Sequence, residues 1–358
     1  MKKYIFSGIM ALTLGLSLSS CGDSFLESEY FKGIDQSSEL NEGNIVSLTN
    51  GIYNNLYSYY FAGNYAVTIG DIPTDLSYWN TKTNHWNDLY MFTYLETDGY
   101  LNSIWTYGYK VVDQSSRVIQ QAKTQLEKGE GDPTTLNQCL AEAYACRAYA
   151  NLMMVNIFAH QVKVNGTSFE DRLGLVISET PIPAGQQVAR ATIGETYDFI
   201  MKDCQQSIQC FEAAGGGNTD PCYFTLASVN GLAARASLYR EDWTNAKQYA
   251  EKAIELSGIK ELAKTPEAYA ALYSDTQKNT ESLFYLDITA TDGWSANSAG
   301  NVWSTYNFSP SPKLLAMYEQ GDARKAIQAW AKENTETVPV YAGGKYGLAS
   351  PAANQLPD

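Results

Sequence analysis

The sequence predicts a mainly α-helical protein in which helical hairpins pack against an irregular, loop-rich lobe with a few short strands. Apolar side chains recur every three or four residues over several long stretches, which is the spacing of an amphipathic helix. Between those stretches the spacing is lost, and Gly, Asn, Pro and aromatic residues become frequent. Long irregular segments in a compact domain are usually functional, so we expect the ligand-binding residues there.

The helical framework is predicted from its spacing and from its stop and start signals. Residues 129–133 combine Gly with Pro and separate two helices. Thr192 and Glu195 have the spacing of a capping box and begin another helix. In the last segment, small and aromatic positions alternate along two helices, which resembles a tetratricopeptide unit. The predicted tetratricopeptide-like segments are about 101–127, 134–159, 192–214 and 225–257.

The predicted loop-rich lobe comprises residues 61–99 and 260–358. The chain contains 26 Tyr, 12 Phe and 7 Trp, and many of them lie in or beside the first of these segments. The apolar C–H faces of a sugar ring lie flat on aromatic rings, whereas its hydroxyl groups need polar partners. Aromatic residues beside Asn and Asp therefore predict a glycan site, with both segments converging on one shallow face.

The candidate glycan-binding residues are aromatic and polar side chains of these two segments. They are Asp71, Tyr78, Trp79, Asn80, Trp86, Trp294, Asn301 and Trp303. The alternative is that most of the rings belong to the core. Trp105 and Trp243 lie in helical segments, and we expect both to pack against neighbouring helices.

The N-terminus predicts secretion and lipidation. Two Lys residues precede a short apolar run at 4–18, which is typical of a signal peptide over residues 1–20. Leu-Ser-Ser-Cys at its end resembles a bacterial lipobox, so we expect a lipid anchor on Cys21 and a tether over 21–38. The alternative is an ordinary signal peptide followed by an unmodified Cys21.

Composition excludes several classes of function. With 25 basic and 39 acidic residues the formal net charge is −14, which disfavours nucleic acid as a partner. Two His residues are too few for a multi-histidine metal site. No HExxH motif or Gly-rich phosphate loop is present, so we expect a binding protein and not an enzyme. The sequence indicates no cofactor and leaves calcium assistance undecided.

Six motifs occur in a fixed order along the chain. They are the Phe-Leu-acid cluster after Cys21 (21–27), a Trp-containing helix (104–118), an Ala-Glu-Ala…Arg-Ala helix (141–149), a helical hairpin (225–254), a Glu…Phe strand (281–284) and a Ser-Pro…Leu…Tyr…Asp-Ala-Arg segment (309–324). Together they resemble the SusD/RagB family of nutrient-uptake lipoproteins from the outer membranes of Bacteroidetes. The resemblance implies that residues 39–358 form a single domain, which lacks the further C-terminal helices of that family.

The resemblance also implies a fold and a function. The fold would be four tetratricopeptide-like hairpins packed against an irregular ligand-binding lobe. The protein would be a lipid-anchored, cell-surface protein of the outer membrane. It would bind a glycan and deliver it to a SusC-like, TonB-dependent transporter, without cleaving it. Two alternatives stay open: a peptide-binding member of the same family, and a helical-repeat scaffold that binds only protein.

Overall fold

The computed structural model describes residues 40–79, 81, 83–274, 280–287, 293–304 and 308–324. The predicted signal peptide, the lipidation residue Cys21, the tether and the candidate residue Asn80 lie outside the described residues. Within the described ranges, no helix is both long enough and apolar enough to cross a lipid bilayer.

The described chain is mainly helical, which confirms the predicted fold class. The helices are α1 (Glu42–Tyr57), α2 (Tyr65–Thr68), α3 (Asn87–Tyr90), α4 (Gly99–Lys128), α5 (Pro133–Phe158), α6 (Ile193–Ala213), α7 (Leu226–Tyr239), α8 (Trp243–Ser257), α9 (Pro266–Ser274), α10 (Ala299–Ser304) and α11 (Pro312–Met317). The strands form two small antiparallel pairs, β1 (Ser77–Trp79) with β4 (Phe308–Pro310) and β2 (Lys163–Val164) with β3 (Thr167–Ser168).

Helices α4 to α8 pack in chain order, and α5 is the most buried of them. Its Ala side chains at 141, 143, 145, 148 and 150 are fully buried, which lets α1, α4 and α6 approach its backbone closely. The predicted stop and start between α4 and α5 are confirmed. Gly129 ends α4 in the left-handed conformation, and Asp132 caps α5 ahead of a proline at its first position. The predicted capping box of α6 is also present.

A buried ion pair connects the helices of this framework. The Arg147 guanidinium on α5 donates two hydrogen bonds of 2.8 Å to the Asp203 carboxylate on α6. It also donates to Ser116 Oγ on α4 at 2.9 Å and to the backbone carbonyl of Glu179 at 3.2 Å. Burial raises the pKa of Asp203, and the hydrogen bonds and charge of Arg147 oppose that shift. Three helices and the segment before α6 therefore meet at one guanidinium.

The two predicted loop segments meet in the structure. The β1–β4 pairing brings Trp79 opposite Phe308. Asn64 Nδ2 donates to the Asn297 carbonyl at 2.7 Å, and Trp294 Nε1 donates to the Tyr57 carbonyl at 3.0 Å. Residues more than two hundred positions apart are thus joined by strand pairing and by side-chain hydrogen bonds.

The prediction for Trp105 is confirmed and that for Trp243 is wrong. The Trp105 ring packs against Tyr109 and Phe158, with ring centroids 4.8 and 5.0 Å away. Trp243, by contrast, is 61% exposed. It lies at the first position of α8, and the buried positions of that helix are Ala246 and Ala253.

Candidate functional site

A cleft of about 370 Å³ opens where the two loop segments meet the N-terminus of α4. The lining residues of the loop segments are Tyr60, Asn64, Tyr65, His85, Trp86, Ala296 and Asn297. Asp98, Tyr100 and Ser103, at the start of α4, form the remaining side. This volume lies in the range of small-molecule sites, and in the cleft both segments can contact one ligand.

Four aromatic rings form the wall of the cleft. Trp86 stacks on Tyr100 with centroids 4.0 Å apart and an angle of 22° between the rings. Tyr65 contacts both rings edge-on, at 5.1 Å from Trp86 and 4.9 Å from Tyr100. Tyr60 contacts Tyr65 at 5.7 Å. Because each ring is held by another, the wall is pre-organised for flat apolar ligand faces.

Trp86 does not offer an open ring face, although the sequence suggested an exposed platform. It is only 2% exposed, although it is among the residues that line the cleft. Its backbone is left-handed, with φ of 63°, at the residue before α3. The Trp86 ring packs against Tyr65 and Tyr100. The accessible aromatic surface of the cleft belongs to the half-buried Tyr60, Tyr65 and Tyr100.

Polar groups form the fringe of the cleft and also hold its walls in place. Buried Asn64 accepts a hydrogen bond from Thr68 Oγ1 at 2.6 Å while it donates to the Asn297 carbonyl. Asp98 Oδ1 accepts from the backbone N–H groups of Tyr100 and Leu101, both at 2.9 Å. Asp98 therefore fixes the first turn of α4, from which Tyr100 projects.

Tyr59, which lies beside the cleft, has a raised pKa. Burial raises the pKa of Tyr59 to about 12, and the neighbouring Tyr60 and Tyr107 add to the shift. The Tyr59 ring lies 4.0 Å from Tyr60 and 5.6 Å from Tyr65. The Tyr59 hydroxyl is therefore neutral at pH 7 and adds no charge beside the cleft.

Trp294, predicted from the second segment, lies beside this wall. Its half-buried ring contacts Tyr57 at 4.6 Å and Tyr59 at 5.4 Å. Tyr59 in turn contacts Tyr60, which lines the cleft. The structure therefore brings Trp86 and Trp294 into one cluster of rings, as the convergence of the two segments requires.

Trp79 and Tyr78 belong to a neighbouring region on β1. Both are half-buried. Trp79 Nε1 donates to the Thr83 carbonyl at 3.0 Å, and its ring lies 6.0 Å from Tyr90, which itself lies 5.8 Å from Phe308. These rings pack on the β1–β4 pair and are not among the residues that line the cleft.

For the remaining candidate glycan-binding residues, the structure gives the turn or helix in which each one lies. Asp71 is half-buried in the turn before β1, where its carbonyl accepts from Thr74 Oγ1 at 2.6 Å. Asn301 and Trp303 belong to α10, which packs against α2 and β4. Among the described residues, no group of three or more His, Cys, Asp or Glu could hold a metal ion.

The tyrosines that form the accessible wall were not among the residues predicted from the sequence. Tyr60 and Tyr65 flank the sequence Phe-Ala-Gly-Asn, and Tyr100 follows the Asp98 cap of the long α4 helix. Helical side chains lean toward the N-terminus, so an aromatic residue in a first turn projects over the preceding loop. That rule would have predicted Tyr100 as a residue of the cleft wall.

The comparisons with known proteins agree with this fold. A SusD-like family model, described as "Starch-binding associating with outer membrane", matches residues 24–219, which is more than half of the chain. No curated protein matches the sequence.

Several solved structures are similar to the chain. A SusD superfamily protein from Bacteroides thetaiotaomicron shares 19% identity, with a TM-score of 0.77 over 89% of this chain and 73% of that one. A putative sugar binding protein from Bacteroides vulgatus shares 20% identity, with a TM-score of 0.75 over 90% and 72%. A structure described as being with xylogluco-oligosaccharide shares 19% identity, with a TM-score of 0.56 over 77% and 55%. These likenesses show the fold, and together with the family model they establish that the chain belongs to the SusD/RagB family.

Proposed function

We propose that this chain is a cell-surface lipoprotein that binds an oligosaccharide in the cleft and delivers it to a TonB-dependent outer-membrane transporter. The observation that supports binding is the cleft itself, where Tyr60, Tyr65 and Tyr100 line a wall bordered by Asn and Ser side chains. A sugar needs both kinds of surface, because its C–H faces are apolar and its hydroxyl groups are not.

The chemistry of the cleft favours a neutral glycan over a charged ligand. The side chains that line it include one carboxylate, Asp98, and no Lys or Arg. Among the described lining residues there is no Lys or Arg to pair with the carboxylate terminus of a peptide or with a phosphate group. The similar protein described as a putative sugar binding protein, and the one with a xylogluco-oligosaccharide, suggest glycans as the ligands to test first.

Membrane attachment and delivery complete the proposal. The family description associates its members with the outer membrane. A lipid on Cys21 would provide the anchor, since several acyl chains hold a protein firmly at a bilayer. The family resemblance supports a SusC-like transporter as the partner that receives the glycan. We propose that binding needs neither a cofactor nor catalysis.

Calorimetric titration of the chain with oligosaccharides from xyloglucan and starch tests the binding step. We expect Tyr100→Ala to weaken the binding of the recognised glycan at least tenfold, or about 1.4 kcal/mol, because it removes the ring that stacks on Trp86. Tyr249→Ala is the matched control, since that tyrosine is also half-buried but lies on α8, away from the cleft. EDTA should leave the affinity unchanged.

Three results would contradict the proposal. Absence of binding to every glycan of the panel would reject the ligand class. Equal affinities for Tyr100→Ala and the unaltered chain would place the glycan elsewhere. New reducing ends in the incubated glycan would show that the protein is an enzyme.

A further inference from the structure

A groove of about 550 Å³ lies among the framework helices α6, α7 and α8. No described residue lines both this groove and the cleft, so the two are separate sites. The lining residues run from 205 to 212 on α6 and from 248 to 256 on α8, which is about 10–12 Å along each helix axis. An extended polypeptide segment of roughly four residues spans that length.

Four side-chain amides line this groove, which we therefore call the amide groove. They are Gln205 and Gln209 on α6, Asn230 on α7 and Gln248 on α8. Gln209 Oε1 accepts a hydrogen bond from Gln206 at 3.0 Å, whereas in the described part of the chain the amides of Gln205 and Gln248 have no partner. A side-chain amide carries both donors and an acceptor. It can therefore pair with the backbone N–H and C=O groups of an extended chain, which have no partners within that chain.

Asn230 is the buried member of this set. It is 4% exposed, and its Nδ2 donates to the Leu226 carbonyl at 2.7 Å. No described residue donates to its Oδ1. That oxygen is not one of the fully enclosed side-chain atoms without a partner, so it is reached through the groove that Asn230 lines. Because a nearly buried acceptor is costly to leave unpaired, the N–H group of a ligand would bind there favourably.

The charged side chains of the amide groove favour a basic ligand. Its carboxylates are Glu212, Glu251 and Glu255, and among the described lining residues Lys252 is the one cation. Lys252 pairs with Glu255 at 3.0 Å, and Lys247, also on α8, pairs with Glu251 at 3.8 Å. Both pairs are exposed and lie within one helix, so they are weak and a cation of the ligand can replace either lysine.

The apolar side chains of the amide groove suit a polypeptide better than a glycan. Ile208, Leu226 and Leu256 are aliphatic, and Tyr249 is the one aromatic residue among the described lining residues. Sugar rings lie on flat aromatic faces, such as those in the cleft, whereas aliphatic side chains pack on one another. Alternate side chains of an extended segment point to opposite sides. Apolar residues on one side can therefore contact the aliphatic residues while basic residues on the other side approach the carboxylates.

We infer that the amide groove binds an extended segment of another protein in which apolar residues alternate with Lys or Arg. The backbone of that segment pairs with the side-chain amides, and one of its N–H groups donates to Asn230 Oδ1. Its apolar residues pack on Leu226 and the neighbouring aliphatic side chains, and its basic residues pair with Glu212 and Glu251. Because the groove is separate from the cleft, this inference goes beyond the proposed function and does not depend on it.

Fluorescence anisotropy with labelled heptapeptides tests this inference on the full-length chain. The first peptide alternates Val and Lys, and the second carries Glu in place of Lys. A third has the composition of the first, with its Val residues at the spacing of a helix. We expect the first peptide to bind at least tenfold more tightly than either of the others. Absence of binding, or equal affinity for the first and third peptides, would overturn the inference.

Removing two carboxylates separates binding in the groove from attraction to the net charge. Glu212→Gln combined with Glu251→Gln keeps the size of both side chains, and we expect the affinity for the Val-Lys peptide to fall at least tenfold. Glu127→Gln combined with Glu130→Gln is the matched control, because it removes the same charge from exposed residues that do not line the groove. The control should bind within twofold of the unaltered chain. Equal losses in both double variants would overturn the inference.

Removing two exposed amides tests the contacts with the backbone of the ligand. Gln205→Ala combined with Gln248→Ala should leave the melting temperature unchanged, since both residues are exposed. We expect the affinity for the Val-Lys peptide to fall at least fivefold and glycan affinity to stay within twofold. Gln120→Ala combined with Gln186→Ala, at exposed positions outside the groove, is the control. Unchanged peptide affinity would overturn the inference, and so would a loss of glycan affinity, which would make the groove a glycan site.

Discussion

The helical framework and the loop lobe are held together in different ways. In the framework, small Ala side chains of α5 bring helices close, and the Arg147–Asp203 pair joins three of them. In the lobe, short elements are held by ring contacts and by side chains that donate to distant carbonyl groups, such as Asn64 to Asn297. A change in the framework should therefore lower global stability, whereas a change in the lobe should loosen the cleft and weaken ligand binding.

Removing the central guanidinium should have the largest effect. Arg147→Ala leaves the Asp203 carboxylate buried without its partner, and we expect a loss of about 3–5 kcal/mol in the free energy of unfolding. Arg117→Ala on α4 is the matched control, because its pair with Asp113 is partly exposed. That change should cost less than about 0.5 kcal/mol. Urea denaturation of both variants measures the difference, and similar losses would show that burial of the pair is unimportant.

The same contrast explains which features the sequence predicts. The framework follows from local signals: the apolar spacing of α4, the Gly129 stop and the Thr192–Glu195 capping box are each contained in a few consecutive residues. The cleft depends on distant pairs, and no local pattern specifies that Asn64 will contact Asn297. The convergence of the two segments followed from composition alone, but the identity of the wall residues did not.

Single tryptophans show where local reasoning fails. The burial of Trp86 depends on a left-handed backbone at that residue, which residue type does not indicate. The sequence predicted that Trp243 packs against a neighbouring helix, yet the buried positions of α8 are Ala246 and Ala253, and Trp243 is exposed. In both cases the backbone, and not the aromatic character of the residue, decides the exposure of the ring.

An intermediate effect is expected in the lobe. Asn64→Ala leaves the Asn297 carbonyl without its donor and removes the acceptor of Thr68 Oγ1. We expect a loss of about 1–3 kcal/mol. Faster amide hydrogen exchange in residues 294–300 and a glycan affinity at least fivefold weaker should accompany it. The control is Asn137→Ala, whose amide donates to the Pro133 carbonyl at an exposed position of α5.

The outcome for Asn64→Ala sharpens the comparison between the two regions. If the lobe is held as an independent set of contacts, exchange in α5 and α6 should remain as slow as in the unaltered chain. Equally faster exchange in those helices would show that lobe and framework unfold together. The control should alter neither the affinity nor the exchange in either region.

The smallest effect concerns a buried carboxyl at the junction of α1 and α5. Glu142 accepts hydrogen bonds from Gln138 and from the Tyr53 hydroxyl, but burial outweighs them and raises the pKa of its carboxyl above the ordinary 4.5. A raised pKa in the folded state means that the protonated form favours folding. The stability from this group is therefore complete below pH 4.5 and is lost as the pH rises through the raised value.

Glu142→Gln should remove that dependence on pH. We expect the variant to be more stable than the unaltered chain at pH 7, by on the order of 1 kcal/mol, and no more stable at pH 4. Glu179→Gln should show the opposite sign, because the hydrogen bond and charge of Lys202 lower the pKa of Glu179 and so stabilise the fold above its ordinary pKa. Urea midpoints from pH 4 to pH 8 measure both variants. Asp203 titrates in the same way in all three proteins, so it does not affect the comparison. A difference in stability between Glu142→Gln and the unaltered chain that stays constant with pH would show that Glu142 is ionised equally in the folded and unfolded chains.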